Sequence, residues 1–224
     1  MNNENNNLTD MDTNFEQPSF HTIKDNLDTV IPKSKITNRM TIYQLTVTAI
    51  FTALIIVGAF IKIPFPVVPI TLQTLFVLMA GMLIGARYSA VSVGLYLFLG
   101  LVGLPVFTKG GGPGYVFQPT FGFLIGFLIA AIVIGMVVKK TDAKSIFSLW
   151  IIGLLGIFII YLVGMIYLYL ILNYYVKSPV AFWSLFSVNI MMTIVGDLFK
   201  CLVAAILTVR LRTIMGRSKL LKGI

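Results

Sequence analysis

The residues best placed to do chemistry lie near the C-terminal end of the chain, in the apolar segment 179–209. Asn189, Thr193 and Asp197 recur at every fourth position, and Lys200 follows Asp197 by three. Spacings of three and four put side chains on one face of a helix. An amide, a hydroxyl, a carboxylate and an ammonium therefore form a stripe inside an otherwise apolar run. Asp197 and Lys200 are the one oppositely charged pair within a predicted span. A charge at mid-bilayer costs about 2.5–3.5 kcal/mol on the insertion scale, which makes such residues functional candidates. A carboxylate that accepts N–H bonds beside a lysine that donates suits capture of a small polar molecule. The same pair also suits plain mutual neutralisation that locks the helix in place. The stripe leads toward the loop-rich side of the chain, which favours capture.

Catalytic chemistry finds few residues. The single histidine, His21, lies in a polar N-terminal tail, and the single cysteine, Cys201, stands beside Lys200. One cysteine makes neither an intramolecular disulfide nor a thiolate metal cluster. The P-loop pattern G-x-x-x-x-G-K-[ST] does not occur, so no ATP-hydrolysing site is expected in this chain. An intramembrane enzyme would need a nucleophile with its base, or two carboxylates, and one intramembrane acid falls short of that. No metal and no cofactor are expected.

A second candidate is the stretch from Leu104 to Gly122, which carries Gly110, Gly111, Gly112 and Gly114, three prolines and Lys109. Glycines let backbone approach a ligand closely, and consecutive N–H groups can form an anion-binding nest. Phe107, Tyr115 and Phe117 argue for an ordered loop, read here as the lid of a binding site. A plain turn, with Lys109 facing solvent, is the simpler alternative. Thr71, Gln73, Tyr115, Gln118 and Tyr161 complete the candidate binding residues. Of these, Thr71, Gln73, Gln118 and Tyr161 lie in or near spans, where such a residue alone is more often a helix–helix hydrogen bond than a ligand contact.

These residues need elements to hold them. The composition is 58% hydrophobic and 11% charged, with mean hydropathy +0.94, which places the chain in the membrane class. Residues 1–39 are polar and predict a disordered tail without the pattern of a secretory signal. Residues 40–224 predict one membrane domain with six apolar segments: Tyr43–Ile63, Leu72–Gly85, Ala90–Leu104, Thr120–Val138, Ile146–Leu172 and Pro179–Val209. A helix needs about 20 residues to cross the hydrocarbon. The second and third segments are short and predict a hairpin through Gly85–Tyr88. Ser178-Pro179 marks a helix start. With the tail inside, the inner side carries Lys33, Lys35, Arg39, Arg87, Lys139, Lys140, Lys144, Arg210, Arg212, Arg217, Lys219 and Lys222, against Lys62, Lys109 and Lys177 outside. That bias predicts cytoplasmic termini and an outer glycine-rich loop. It also accounts for most of the net charge of +9 without nucleic acid. Ala49 and Ala53 flatten one face of the first helix for a partner helix.

Four stretches, Pro-Ile-Thr-Leu-Gln (69–73), Gly-Leu-Pro-Val-Phe (103–107), Pro-Thr-Phe-Gly-Phe-Leu-Ile-Gly-Phe (119–127) and Gly-Asp-Leu-Phe-Lys (196–200), together resemble the BioY family. Those are biotin-binding S components of energy-coupling-factor (ECF) transporters. The resemblance covers nearly everything after the tail. It implies an all-α membrane protein of six helices that captures biotin from outside. It also implies a membrane coupling (T) subunit and two ABC ATPase subunits as partners. Asp197 and Lys200 match the family's Gly-Asp-x-x-Lys motif, and Ala49-x-x-x-Ala53 is similar to its docking face for the coupling subunit. Two departures stand out: Val195-Gly196 where the family often has a proline, and Gly85-Ala86-Arg87-Tyr88-Ser89 where it often has Gly-Pro-Arg-Leu-Gly. An S component for another vitamin shares the same fold and partners.

Overall fold

The computed structural model describes residues 42–64, 69–175 and 191–217. The polar tail, the Ser178-Pro179 helix start and Asn189 lie outside the described residues. Helix α1 (Ile42–Phe60) is followed by two short antiparallel strands, β1 (Lys62–Ile63) and β2 (Ile70–Thr71). Then come α2 (Gln73–Val102), a 3-10 turn (Pro113–Phe117), α3 (Phe121–Thr141), α4 (Ile146–Leu170) with a π turn at Ile171–Tyr175, and α5 (Met191–Arg217). The helices α1, α2, α3 and the α4 segment are long and apolar enough to cross a membrane. The chain is a multi-pass membrane protein whose regular elements among the described residues are helical apart from the strand pair, which the hydropathy pattern did not anticipate.

Helix α2 is not one rod. Gly85 has φ 78° and ψ 172°, outside helical space, a conformation that glycine adopts without steric cost. The Gln73 side chain nevertheless meets the Tyr96 hydroxyl at 2.7 Å across 23 residues. A continuous helix would hold those residues about 35 Å apart at 1.5 Å per residue. The arms 73–84 and 86–102 therefore fold back on each other, as the expected hairpin requires. This reversal brings both ends of α2 to the end of the bundle that carries the strands and the glycine-rich loop.

In lipid, association rests on close packing and interhelical hydrogen bonds rather than on escape from water. Small residues supply the close packing. Gly81 faces Ile134 and Ala131, Gly126 faces the Ile160 backbone, and Gly135 lies against the backbone of Gly85 and Ala86. Polar stitches supply the rest. Thr52 Oγ1 donates to Ser92 O at 3.1 Å, and Ser92 Oγ to Thr48 O at 3.0 Å, tying α1 to the second arm of α2. With Thr48 and Thr52 buried, Ala49 and Ala53 point away from the bundle and are exposed.

At the end remote from the glycine-rich loop, Arg212 of α5 donates to Ala143 O at 2.7 Å and to Met82 O. Met82 lies in the last turn before the Gly85 break, where carbonyls lose their intrahelical donors. The guanidinium fills that vacancy and sets the register of α5 against α2.

Glycine contacts give a paired prediction. A methyl at Gly135 would meet the Ala86 backbone, whereas one at Gly94 meets nothing within 4 Å. G135A is expected to lose about 1–3 kcal/mol to overpacking and to unfold at a lower temperature in detergent. G94A is expected to match or slightly exceed the parent, as alanine favours helix over glycine.

Candidate ligand-binding site

Between β2, the first arm of α2, α3, α4 and α5, at the loop end of the bundle, lies a chamber of about 680 Å³ including its open mouth. Its polar lining includes Asp197, Lys200, Thr193, Tyr161, Thr71 and Gln73, and its apolar walls include Phe123, Phe127 and Met165. A mainly apolar cavity with a few convergent polar groups is the usual form of a vitamin-sized site.

The charged pair is the polar centre. Asp197 and Lys200 are 6% and 7% exposed, so neither is solvated by bulk water. Lys200 Nζ pairs with Asp197 Oδ1 across three residues of α5 and donates to the Thr71 carbonyl of β2 at 3.0 Å. The Tyr161 hydroxyl lies within hydrogen-bond distance of both Asp197 Oδ2 and Thr193 Oγ1, the latter at 2.6 Å. It holds one proton, which goes to the carboxylate, and Thr193 can then donate to the phenol oxygen. Oδ1 is within ion-pair range of Lys200 but receives no hydrogen bond among the described residues. That oxygen keeps unused acceptor capacity on a residue that lines the chamber.

The opposite corner is built from α2 and β2. Gln73, 2% exposed, starts α2, and Thr71 ends β2. Thr71 belongs to strand β2, just ahead of the Leu72 start expected for the second segment. The Gln73 amide lies between Thr71 Oγ1 at 3.3 Å and Tyr96 Oη at 2.7 Å. Tyr96 is wholly buried and does not line the chamber. It fixes the amide from behind, and the Phe107 ring holds it edge-on at 5.3 Å.

The glycine-rich loop is a fixed roof. Gly112 (φ 112°) donates from its N–H to Gly100 O at 2.7 Å, and Phe107 fills the notch left by Gly100. Tyr167 of α4 donates to Val116 O, Phe117 stacks on Tyr175 at 4.9 Å, and Lys62 donates to Thr108 O at 2.5 Å. Of the residues expected from this loop, Tyr115 lines the chamber and contacts Thr108 and Thr120 through its hydroxyl. Gly111 and Gly112 do not line it: Gly111 packs on the Leu104 carbonyl, and both serve the loop's own fold. Gln118 closes the 3-10 turn through its N–H to Tyr115 O and is also outside the lining, as is exposed Lys109. The stretch thus covers the chamber as an ordered loop and contributes one tyrosine and two threonines, Thr108 and Thr120, rather than its glycines or Gln118.

Sequence reasoning missed Thr108, Thr120, Phe123 and Phe127. Thr120, Phe123 and Phe127 sit three and four apart on one face of α3 and the residue before it, a legible signal drowned by uniform hydrophobicity.

The BioY family model matches residues 33–217. The chain belongs to the BioY family. It is 43% identical over 179 residues to a probable biotin transporter BioY of Lysinibacillus sphaericus, covering 80% of this chain and 91% of that one. It is 39% identical over 176 residues to the biotin transporter BioY of Thermotoga maritima, covering 75% and 95%. The crystal structure of an S component for biotin from an ECF-type ABC transporter superposes with TM-score 0.68 at 35% identity, covering 78% of this chain and 95% of that one.

Removing one member of a buried ion pair strands the other charge, at a cost of about 3–5 kcal/mol, whereas removing both can be nearly neutral. Without ligand, K200M is therefore expected to melt well below the parent, and D197N/K200M to recover most of the loss. Thermal unfolding in detergent checks the order.

Proposed function

We propose that this chain is the substrate-binding S component of an ECF-type transporter and captures biotin for uptake. A membrane coupling subunit and two ABC ATPase subunits would supply the energy. The observation that carries the reading is a chamber lined by one acid and one lysine, in a chain of a family whose relatives are named biotin transporters.

The chemistry suits the ligand. Biotin offers ureido N–H donors, a ureido carbonyl, an apolar bicycle and a carboxylate. Asp197 Oδ1 accepts a ureido N–H. Lys200 donates to the ligand or stays on Asp197 and Thr71. Gln73 and Thr71 supply hydroxyl and amide groups from the other corner, and Tyr115 and Tyr161 add hydroxyls at the rim and beside Asp197. Phe123, Phe127 and Met165 cover the bicycle and tail. No covalent step is involved, so the chain binds and delivers without turning substrate over.

The same proposal extends to topology. The two arms of α2 count as two crossings, which with α1, α3, α4 and α5 gives six. Arg87, Lys139, Lys140, Lys144, Arg210 and Arg212 all fall at the end of the bundle away from the chamber mouth, while Lys62 and Lys109 fall at the mouth. This segregation supports a mouth facing outward and cytoplasmic termini, with residues 1–39 as a cytoplasmic tail. The exposed Ala49 and Ala53 face is offered to the coupling subunit.

Isothermal titration of the purified chain in detergent is expected to show one biotin per chain, and no heat with riboflavin, thiamine or folate. D197A, folded by size exclusion, is expected to bind at least about 30-fold more weakly, as loss of one partner of a buried charged hydrogen bond costs about 2–5 kcal/mol. Heat from another vitamin and none from biotin would reassign the ligand.

A further inference from the structure

Gly164 stands on α4 one turn beyond Tyr161, buried and outside the chamber lining. The Phe123 ring of α3 does line the chamber, and it leans on Gly164 from the chamber side. A Cβ at 164 would lie 2.5 Å from Phe123 Cδ1 and 2.6 Å from both Cε1 and Cγ. Real Cβ atoms do not approach that closely, and these atoms run along the near side of a rigid ring, not a flexible tip. The ring thus sits in the notch where the side chain of residue 164 would be.

The rest of the ring's surroundings decide where it goes if the notch is filled. On both sides of Phe123, α3 is already tight against α4: Gly122 faces Tyr167, and Gly126 lies 3.0 Å by the same measure from the Ile160 backbone. The ring, rather than the helix, is the part able to move. The empty space beside it is the chamber. Its edge meets Tyr161 at 6.1 Å and 88° between planes, and Tyr161 holds Asp197. A displaced ring narrows the apolar wall and presses on the tyrosine that orients the acid.

We propose that Gly164 sets the width of the ligand chamber: its missing side chain is the seat of the Phe123 ring, and a larger residue drives that ring into the ligand's space. Gly164 is a specificity-determining position that acts through Phe123 and touches no ligand itself. The proposal rests on the reading of this chamber as the biotin site. Overpacking a fitted site by one methyl is worth roughly ten-fold or more in discrimination.

The test compares the parent, G164A, and G164A/F123L, which removes the clash while keeping an apolar wall. Each is titrated with biotin and with desthiobiotin, which lacks the ring sulfur and is the thinner ligand. G164A is expected to lose about ten-fold or more for biotin and less for desthiobiotin, and the double variant to regain most of the loss. A purely structural role for Gly164 would weaken both ligands alike. Equal losses, unchanged biotin affinity in G164A, or a double variant as weak as G164A would overturn the proposal. If G164A does not fold, G164A/F123L must fold, and its failure would equally overturn it. A ligand-free arm places 4-fluorophenylalanine at position 123. G164A is expected to shift its fluorine resonance, and an unmoved resonance contradicts the seat whatever the ligand. Absence of biotin binding in the parent would sink the ligand assignment alone, with the fluorine arm still deciding the geometry.

Discussion

A charged pair buried in a helical bundle is the constraint from which the rest follows. Asp197 and Lys200 are almost wholly removed from bulk water, so their charges must be met largely by protein groups or by each other. Their mutual contact is not the whole answer. Lys200 also takes the carbonyl of Thr71, 129 residues away in sequence, and Asp197 takes the hydroxyl of Tyr161. One ion pair thereby fixes β2, α4 and α5 around a single volume. Every group that answers a charge is also a wall of the chamber. The energetic demand of burial and the geometry of binding are met by the same atoms.

The remainder of the bundle reads as support for that volume. The break at Gly85 returns α2 to the loop end, so Gln73 and Tyr96 can meet. Arg212 ties the far end of α5 to the carbonyls of Met82 and Ala143, which keeps Asp197 and Lys200 turned toward the cavity. Tyr167 and Phe117 on one side, and Gly100 and Lys62 on the other, hold the roof in place. A roof tied from both sides suits a binding protein, in which affinity gains from walls ordered before the ligand arrives.

Much of this was legible in the residues. Thr193, Asp197 and Lys200 announced their shared face through spacing alone, because charge in an apolar run stands out at helical period. The hairpin through Gly85–Tyr88 was legible because two short apolar segments flank a glycine and an arginine, and the break falls at that glycine. The glycine-rich loop was legible as ordered but not in its role. Glycine permits ligand contact and tight chain packing equally, and only the neighbours, the Gly100 and Leu104 carbonyls, decide for packing at Gly111 and Gly112. The strand pair at Lys62–Ile63 and Ile70–Thr71 was hidden by its length, since two residues carry no period. Phe123 and Phe127 were hidden for the opposite reason: in a helix apolar on every side, no contrast marks the face that meets a ligand.

The most direct measurement is an experimental structure of the chain with biotin bound in a lipid nanodisc. The account predicts ligand density in the chamber beneath Tyr115, with a ureido nitrogen within hydrogen-bond distance of Asp197 Oδ1 and the bicycle against Phe123 and Phe127. Density elsewhere, or an Asp197 carboxylate that stays closed on Lys200 and Tyr161 without touching the ligand, would contradict it.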